Sequence, residues 1–154
     1  MNTPAPPRAV LDTNVVLDLL VWQNPEAAPL RDAVLGRRIA CIADAEGLAE
    51  LERVLAYTKL ELDPAAQTRI HAQYAGLVSC PPADAFFEII PRCSDRDDQK
   101  FLELAVRQRA DLLISRDKAL LRLAKRIRKI APQLDILTPT EWMARREGTS
   151  WISA

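Results

Sequence analysis

Short, mostly apolar runs alternate along the chain with segments in which apolar residues recur every three or four positions. The runs are Ala9-Val10-Leu11, Ile39-Ala40-Cys41-Ile42, Phe86 to Ile90, Leu112-Leu113-Ile114 and Ile136-Leu137. Runs this short suit strands buried on both faces. The segments between them carry helix punctuation. Thr13 begins a helix to residue 21, closed by Asn24-Pro25, and a second spans 26–35 with Gly36 as its stop. Asp44 can cap a third that presents Leu48, Leu51 and Leu55 on one face. Asp63-Pro64 puts an acceptor at the cap and proline at the first helical position of a fourth, which runs to about residue 78 before Pro81-Pro82. Ser94 and Asp97 have capping-box spacing for a helix to about residue 108. Residues 117–129 form an amphipathic helix, and Thr138-Pro139-Thr140-Glu141 is a second capping box opening the last one.

Strand and helix alternate throughout, which predicts an α/β domain: a three-layer α/β/α arrangement around a parallel sheet of about four to five strands. Residues 1–7 contain three prolines and read as a disordered lead-in, 8–147 as a single domain, and 148–154 as a tail. The 154 residues suit one domain, and 49% hydrophobic content supplies a core without disulfides.

Charge and residue counts narrow the chemistry. Twenty-one basic and 21 acidic residues cancel, so a polyanion must be gripped by a local patch rather than by a global field. Cys41, Cys80 and Cys93 are odd in number and form no CxxC pair, which argues against a disulfide frame or a zinc knuckle. The N-terminus has no secretory pattern, and the apolar run at 15–22 is interrupted by Asp18 and too short to span a bilayer. A cytoplasmic protein with no membrane partner is expected. His71 is the single histidine, which excludes a two-histidine ribonuclease mechanism; on its helix it reads as a packed or surface residue. Four glycines leave no phosphate-cradling loop.

Carboxylates remain. Ligands of open parallel sheets bind beyond the C-terminal strand ends, where strand order reverses. Asp12 closes the first strand, Asp117 follows the 112–115 strand by two residues, Asp98 lies in the first turn of the helix before it, and Glu50 lies down the helix after the second strand. Four converging acids repel one another, and a divalent cation resolves that repulsion. Oxygen ligands select Mg²⁺ or Mn²⁺, which can activate water and neutralise a phosphoryl oxygen. Asn14 and Ser115 are candidate supporting groups, and so are Asp95 and Asp97, which also qualify as simple helix caps. Arg116, Lys118 and Arg122 begin the one basic concentration, beside Asp117, and are the candidate nucleic-acid contacts. Trp22, Trp142 and Trp151 are scattered and give no sign of a base-stacking platform.

Read together, four segments resemble PIN-domain nucleases. Val10-Leu11-Asp12-Thr13-Asn14-Val15 resembles the opening motif; Glu50 in Gly47-Leu48-Ala49-Glu50-Leu51 resembles the second acid. Asp98, before Phe101-Leu102-Glu103-Leu104-Ala105, resembles the third, and Asp117 in Ser115-Arg116-Asp117-Lys118 the fourth. The likeness covers roughly residues 8–142 and is nearest to bacterial VapC-like toxins. It implies an Mg²⁺- or Mn²⁺-dependent endoribonuclease acting on RNA, usually a homodimer, restrained by a small antitoxin. Asp12, Glu50, Asp98 and Asp117 are then both catalytic and metal-holding. Many relatives carry Ser or Thr where this chain has Asp44. Two other classes fit less well: a non-catalytic PIN-like binding module, and an aspartate-based phosphatase or receiver-like domain, for which Asp12-Thr13-Asn14 lacks the second aspartate.

Overall fold

A strand covered on both faces sends alternate residues into two different cores, and this sheet does so at every central position. In the computed structural model, residues 4–82, 90, 91, 93 and 96–148 are described. The strands are β1 (Arg8–Leu11), β2 (Ala40–Ile42), β3 (Val78–Ser79), β4 (Leu112–Ile114) and β5 (Asp135–Leu137). All neighbours run parallel, in the order β3-β2-β1-β4-β5. Ala9, Leu11, Cys41, Leu112, Ile114 and Leu137 enter one core, while Val10, Ile42, Leu113 and Ile136 enter the other.

The first core is closed by α1 (Thr13–Leu20), α2 (Ala28–Leu35), α3 (Ala45–Leu55), α4 (Pro64–Leu77) and α8 (Pro139–Gly148). The second is closed by α5 (Arg96–Arg107), α6 (Lys118–Leu121) and α7 (Ala124–Arg128). This is the three-layer α/β/α arrangement, with five strands. Cap chemistry sets the helix starts. Asp12, Asp44 and Asp63 each accept a bond from the N–H three residues on, at 2.9, 2.8 and 2.7 Å. Thr138 and Glu141 exchange reciprocal 3.0 Å bonds, completing the expected capping box.

Two local expectations change, and a third falls largely outside the described residues. The strand expected at Phe86 to Ile90 falls mostly on 83–89, outside the described residues, and Ile90 is in no strand. Among the described residues the sheet's edge is Val78–Ser79, which the sequence reading ran into the end of a helix. Val78 turns extended at φ −96°, ψ 151° and pairs with Cys41, and a two-residue strand leaves no periodic signal. The basic helix expected at 117–129 is two short ones. Between them Leu123 N–H bonds Leu120 C=O at 3.0 Å, a tight turn that aligns residues three apart, so Leu120, Leu123 and Ile127 all reach the core. Gly36 does cap α2, but with an ordinary φ of −81°; the left-handed residue is Arg37, at φ 58°.

Pro7 C=O already accepts a 2.9 Å bond from Ala40 N–H. The tail beyond Gly148 lies outside the described residues, and so does Trp151. Among the described residues no helix is long and apolar enough to cross a membrane.

Leu113, fully buried at the centre of the sheet, tests this packing. Leu113→Ala should destabilise the fold by about 3 kcal/mol in urea unfolding, the cost of a core cavity. A change below about 1 kcal/mol would contradict the assigned layer.

Candidate active site

Strand order reverses at β1: β2 lies on one side of it and β4 on the other. The chain leaving β1 and the chain leaving β4 therefore part at the C-terminal edge, and a crevice opens between them. The β1–β4 register pairs Leu11 with Ile114, and Asp12 N–H continues the ladder to Ile114 C=O at 3.2 Å. Asp12 and Ser115 are thereby the first residues past two adjacent strands, both buried.

Asp12 has two jobs. Its Oδ1 caps α1 by accepting from Val15 N–H at 2.9 Å, and its Oδ2 accepts a short bond from the Ser115 hydroxyl. Ser115 Oγ in turn accepts from Asp117 N–H at 2.9 Å, so one hydroxyl ties both aspartates to the sheet edge. Burial pushes the Asp12 carboxyl up from its ordinary value, against the bonds from Ser115 and Val15, which pull it down.

Asp117 caps α6 through Ala119 N–H at 2.7 Å. A side-chain hydrogen bond with Asp98 is the main cause holding its carboxyl below the usual range, with backbone bonds and Arg122 assisting.

Glu50 reaches the same groove from α3. Its Oε2 accepts a short bond from the Thr13 hydroxyl, and its Oε1 accepts from Lys100 Nζ at 2.7 Å. Lys100 also stands 5.0 Å from the Phe101 ring centroid.

The groove has a volume of about 250 Å³. Asp12, Asn14, Glu50, Asp98 and Asp117 all line it. Of the three neighbouring aspartates, Asp98 is the one shown there; Asp95 and the Asp97 side chain lie outside the described residues. Asp44 is directed elsewhere, capping α3 and facing Arg107 at 3.7 Å. His71 packs on α3, its Nε2 2.9 Å from Leu48 C=O.

The basic residues divide. Lys118 and Arg122 are exposed beside Asp117. Arg116 is half exposed and pairs with buried Asp18 at 3.0 Å, lining a neighbouring groove of about 290 Å³. Burial raises the Asp18 carboxyl and Arg116 lowers it.

Sequence reasoning missed Lys100 and saw in Thr13 only the start of a helix. Both act on Glu50 from elements remote in sequence, α5 and α1, and only the assembled sheet brings them there. No spacing within one segment carries that signal.

An all-oxygen donor set of this kind suits a hard divalent cation. Among the described residues no three His, Cys, Asp or Glu side chains are grouped to hold an ion as they stand. Each acid instead has a protein partner. Asp98 and Asp117 interact side chain to side chain, and the buried Oδ2 of Asp12, in the same groove, accepts from a single hydroxyl, which leaves lone pairs for a cation. The residues fit a cation on these grounds.

A parallel α/β sheet thus gathers carboxylates at its switch point. The chain belongs to the PIN-domain family, whose model matches residues 8–119, from β1 into α6. A search of curated proteins and one of solved structures each found no match.

The raised Asp12 carboxyl fixes a sign. Its protonated form is the one the fold favours, so its stabilising contribution is full below the ordinary value of 3.8 and is lost as pH rises through the elevated folded value. At neutral pH without metal the buried charge is a cost. Asp12→Asn keeps the cap and should raise stability by about 1 kcal/mol at pH 7 in chelator, by calorimetry. The gain should vanish near pH 3. A variant less stable than wild type at pH 7 would refute the electrostatic account.

Proposed function

We propose that this protein is a metal-dependent endoribonuclease that hydrolyses RNA phosphodiester bonds, and that it serves as the toxin of a toxin–antitoxin pair. The observation that carries the nuclease reading is the meeting of Asp12, Glu50, Asp98 and Asp117 in one groove at the switch point of the sheet. The toxin role, the homodimer and the small antitoxin rest on the motif resemblance alone.

Asp12, Glu50, Asp98 and Asp117 would hold Mg²⁺ or Mn²⁺ directly or through water. Bound there, the ion supplies a water of lowered pKa and neutralises charge on the phosphoryl group. The chain's own residues do the positioning. Ser115 and Val15 N–H fix both oxygens of Asp12, so its carboxylate cannot rotate away from the groove. Thr13 and Lys100 hold Glu50 in place, and Ala119 N–H aligns Asp117. Exposed Lys118 and Arg122 take flanking phosphates, while Arg116 contributes less because Asp18 claims it. Hydrolysis by an in-line water leaves a 5′-phosphate and a 3′-hydroxyl. This route does not use the 2′-hydroxyl, so the choice of RNA comes from the resemblance.

The Lys100–Glu50 bridge favours a second reading, a PIN-like module that binds RNA or protein without cutting it. One experiment separates the two. Labelled single-stranded RNA is incubated with Mn²⁺ and either wild type or Asp12→Asn, and the product ends are mapped. Cuts that end in 3′-hydroxyls, need metal and fall at least about 100-fold in the variant support the nuclease. Equal cleavage by both proteins would remove Asp12 from the chemistry, and binding without cleavage by wild type would leave the non-catalytic module.

A further inference from the structure

Large aromatic side chains are normally drawn into a core, because burial of their surface is strongly favourable. Among the described residues, three large hydrophobics stay substantially exposed: Trp22 and Tyr57 at 50% each and Ile130 at 42%. The two aromatics line the same groove as the four acids.

Neither arrives there by helix periodicity. Trp22 lies in the turn that closes α1, where its N–H bonds Leu17 C=O at 2.9 Å and the next residue, Gln23, is left-handed at φ 47°. Tyr57 follows the end of α3, its N–H on Val54 C=O at 3.0 Å. The helices concerned are the one capped by Asp12 and the one carrying Glu50. The same two elements thus bring both acids and aromatic rings to one groove.

Leu17, Val54 and Leu60 also line the groove. Lys59 Nζ stands 5.9 Å from the Tyr57 ring centroid and lines the groove as well. Rings, a small apolar wall and a cation next to acids that address a phosphate are the components with which proteins hold unstacked bases. A docking helix would ask for a longer apolar stripe at helical spacing and no cation in its middle.

We propose that Trp22 and Tyr57 form a stacking platform for an unpaired nucleobase beside the scissile phosphate, with Lys59 on the adjoining phosphate. This rests on the nuclease reading and adds the side chains that would meet a base, two rings that only an unpaired base can cover. Bases inside a duplex have no free face to offer these rings.

The test reads binding, not cleavage. Asp12→Asn is the background, since it removes one carboxylate from the groove and holds RNA intact. Its affinity is measured by fluorescence anisotropy for a labelled single-stranded RNA of about 12 nucleotides, the same strand annealed to its complement, and the same strand with abasic sites. Expected are tighter binding of the single strand than of the duplex, and at least about fivefold weakening on adding Trp22→Leu or Tyr57→Leu. Trp22→Phe should restore most of the affinity, because it returns a ring, whereas Leu returns only apolar bulk. The abasic strand should bind the parent and the Leu variants alike.

Unchanged affinity in both Leu variants overturns the platform while leaving the nuclease reading intact. Equal losses for intact and abasic strands also overturn it, because the rings would then not be reading bases. A Trp22→Leu variant that changes oligomeric state in light scattering, with RNA affinity unaltered, assigns the aromatics to a protein interface and overturns it too. Absence of RNA binding by the Asp12→Asn parent in every form removes the nuclease reading and the platform together.

Discussion

Pairing of β1 with β4 is the constraint on which the site depends. These strands are distant in sequence, and their register places Leu11 against Ile114. One residue further on, Asp12 and Ser115 must be neighbours, and the Ser115 hydroxyl joins Asp12 to the Asp117 backbone. A one-residue slip would exchange the two cores served by Val10 and Leu113 and by Leu11 and Ile114, so hydrophobic packing enforces the register. The position of the acids is therefore set by burial of apolar residues on both faces of the sheet, and the acids themselves need contribute nothing to it.

They in fact work against it. Asp12 is buried with its carboxyl raised, and Asp98 and Asp117 meet side chain to side chain. The fold keeps these groups together by giving them backbone tasks or side-chain partners: Asp12 and Asp117 cap helices, and Glu50 takes the Thr13 hydroxyl and the Lys100 ammonium. Helix capping thus anchors two acids by bonds unrelated to any ligand, leaving part of each carboxylate for the groove. In the nuclease reading, a cation would relieve the remaining repulsion, and binding it would stabilise the fold.

The order of elements was legible because it follows from apolar runs and cap residues, which are local. Asp44, Asp63 and the Thr138–Glu141 box act as their spacing implies. The places of the four acids were readable one segment at a time: Asp12 and Asp117 follow strands, Asp98 lies in the first turn of α5, and Glu50 lies further down α3. What escaped is non-local. Val78–Ser79 is a strand only because Cys41 and Ile42 lie beside it. Lys100 matters only because α5 packs near α3, and Arg116 is diverted only because Asp18 is buried within its reach. Trp22 looked isolated beside Trp142 and Trp151, whereas its partner in the groove is Tyr57, a residue of another type 35 positions away.

The balance of charge explains why that aromatic wall has a place in the proposed chemistry. With 21 basic and 21 acidic residues the protein has no long-range attraction for a polyanion, and its groove is lined by acids. A few exposed cations, Lys118, Arg122 and Lys59, cannot by themselves offset those acids and also grip a strand. Stacking on a ring is indifferent to phosphate charge and tolerates any base, since every base has a π face. It supplies affinity that neither a neutral surface nor an acidic groove can provide. It does so only for a base already out of its helix, so the same rings that hold a strand also discriminate against duplex.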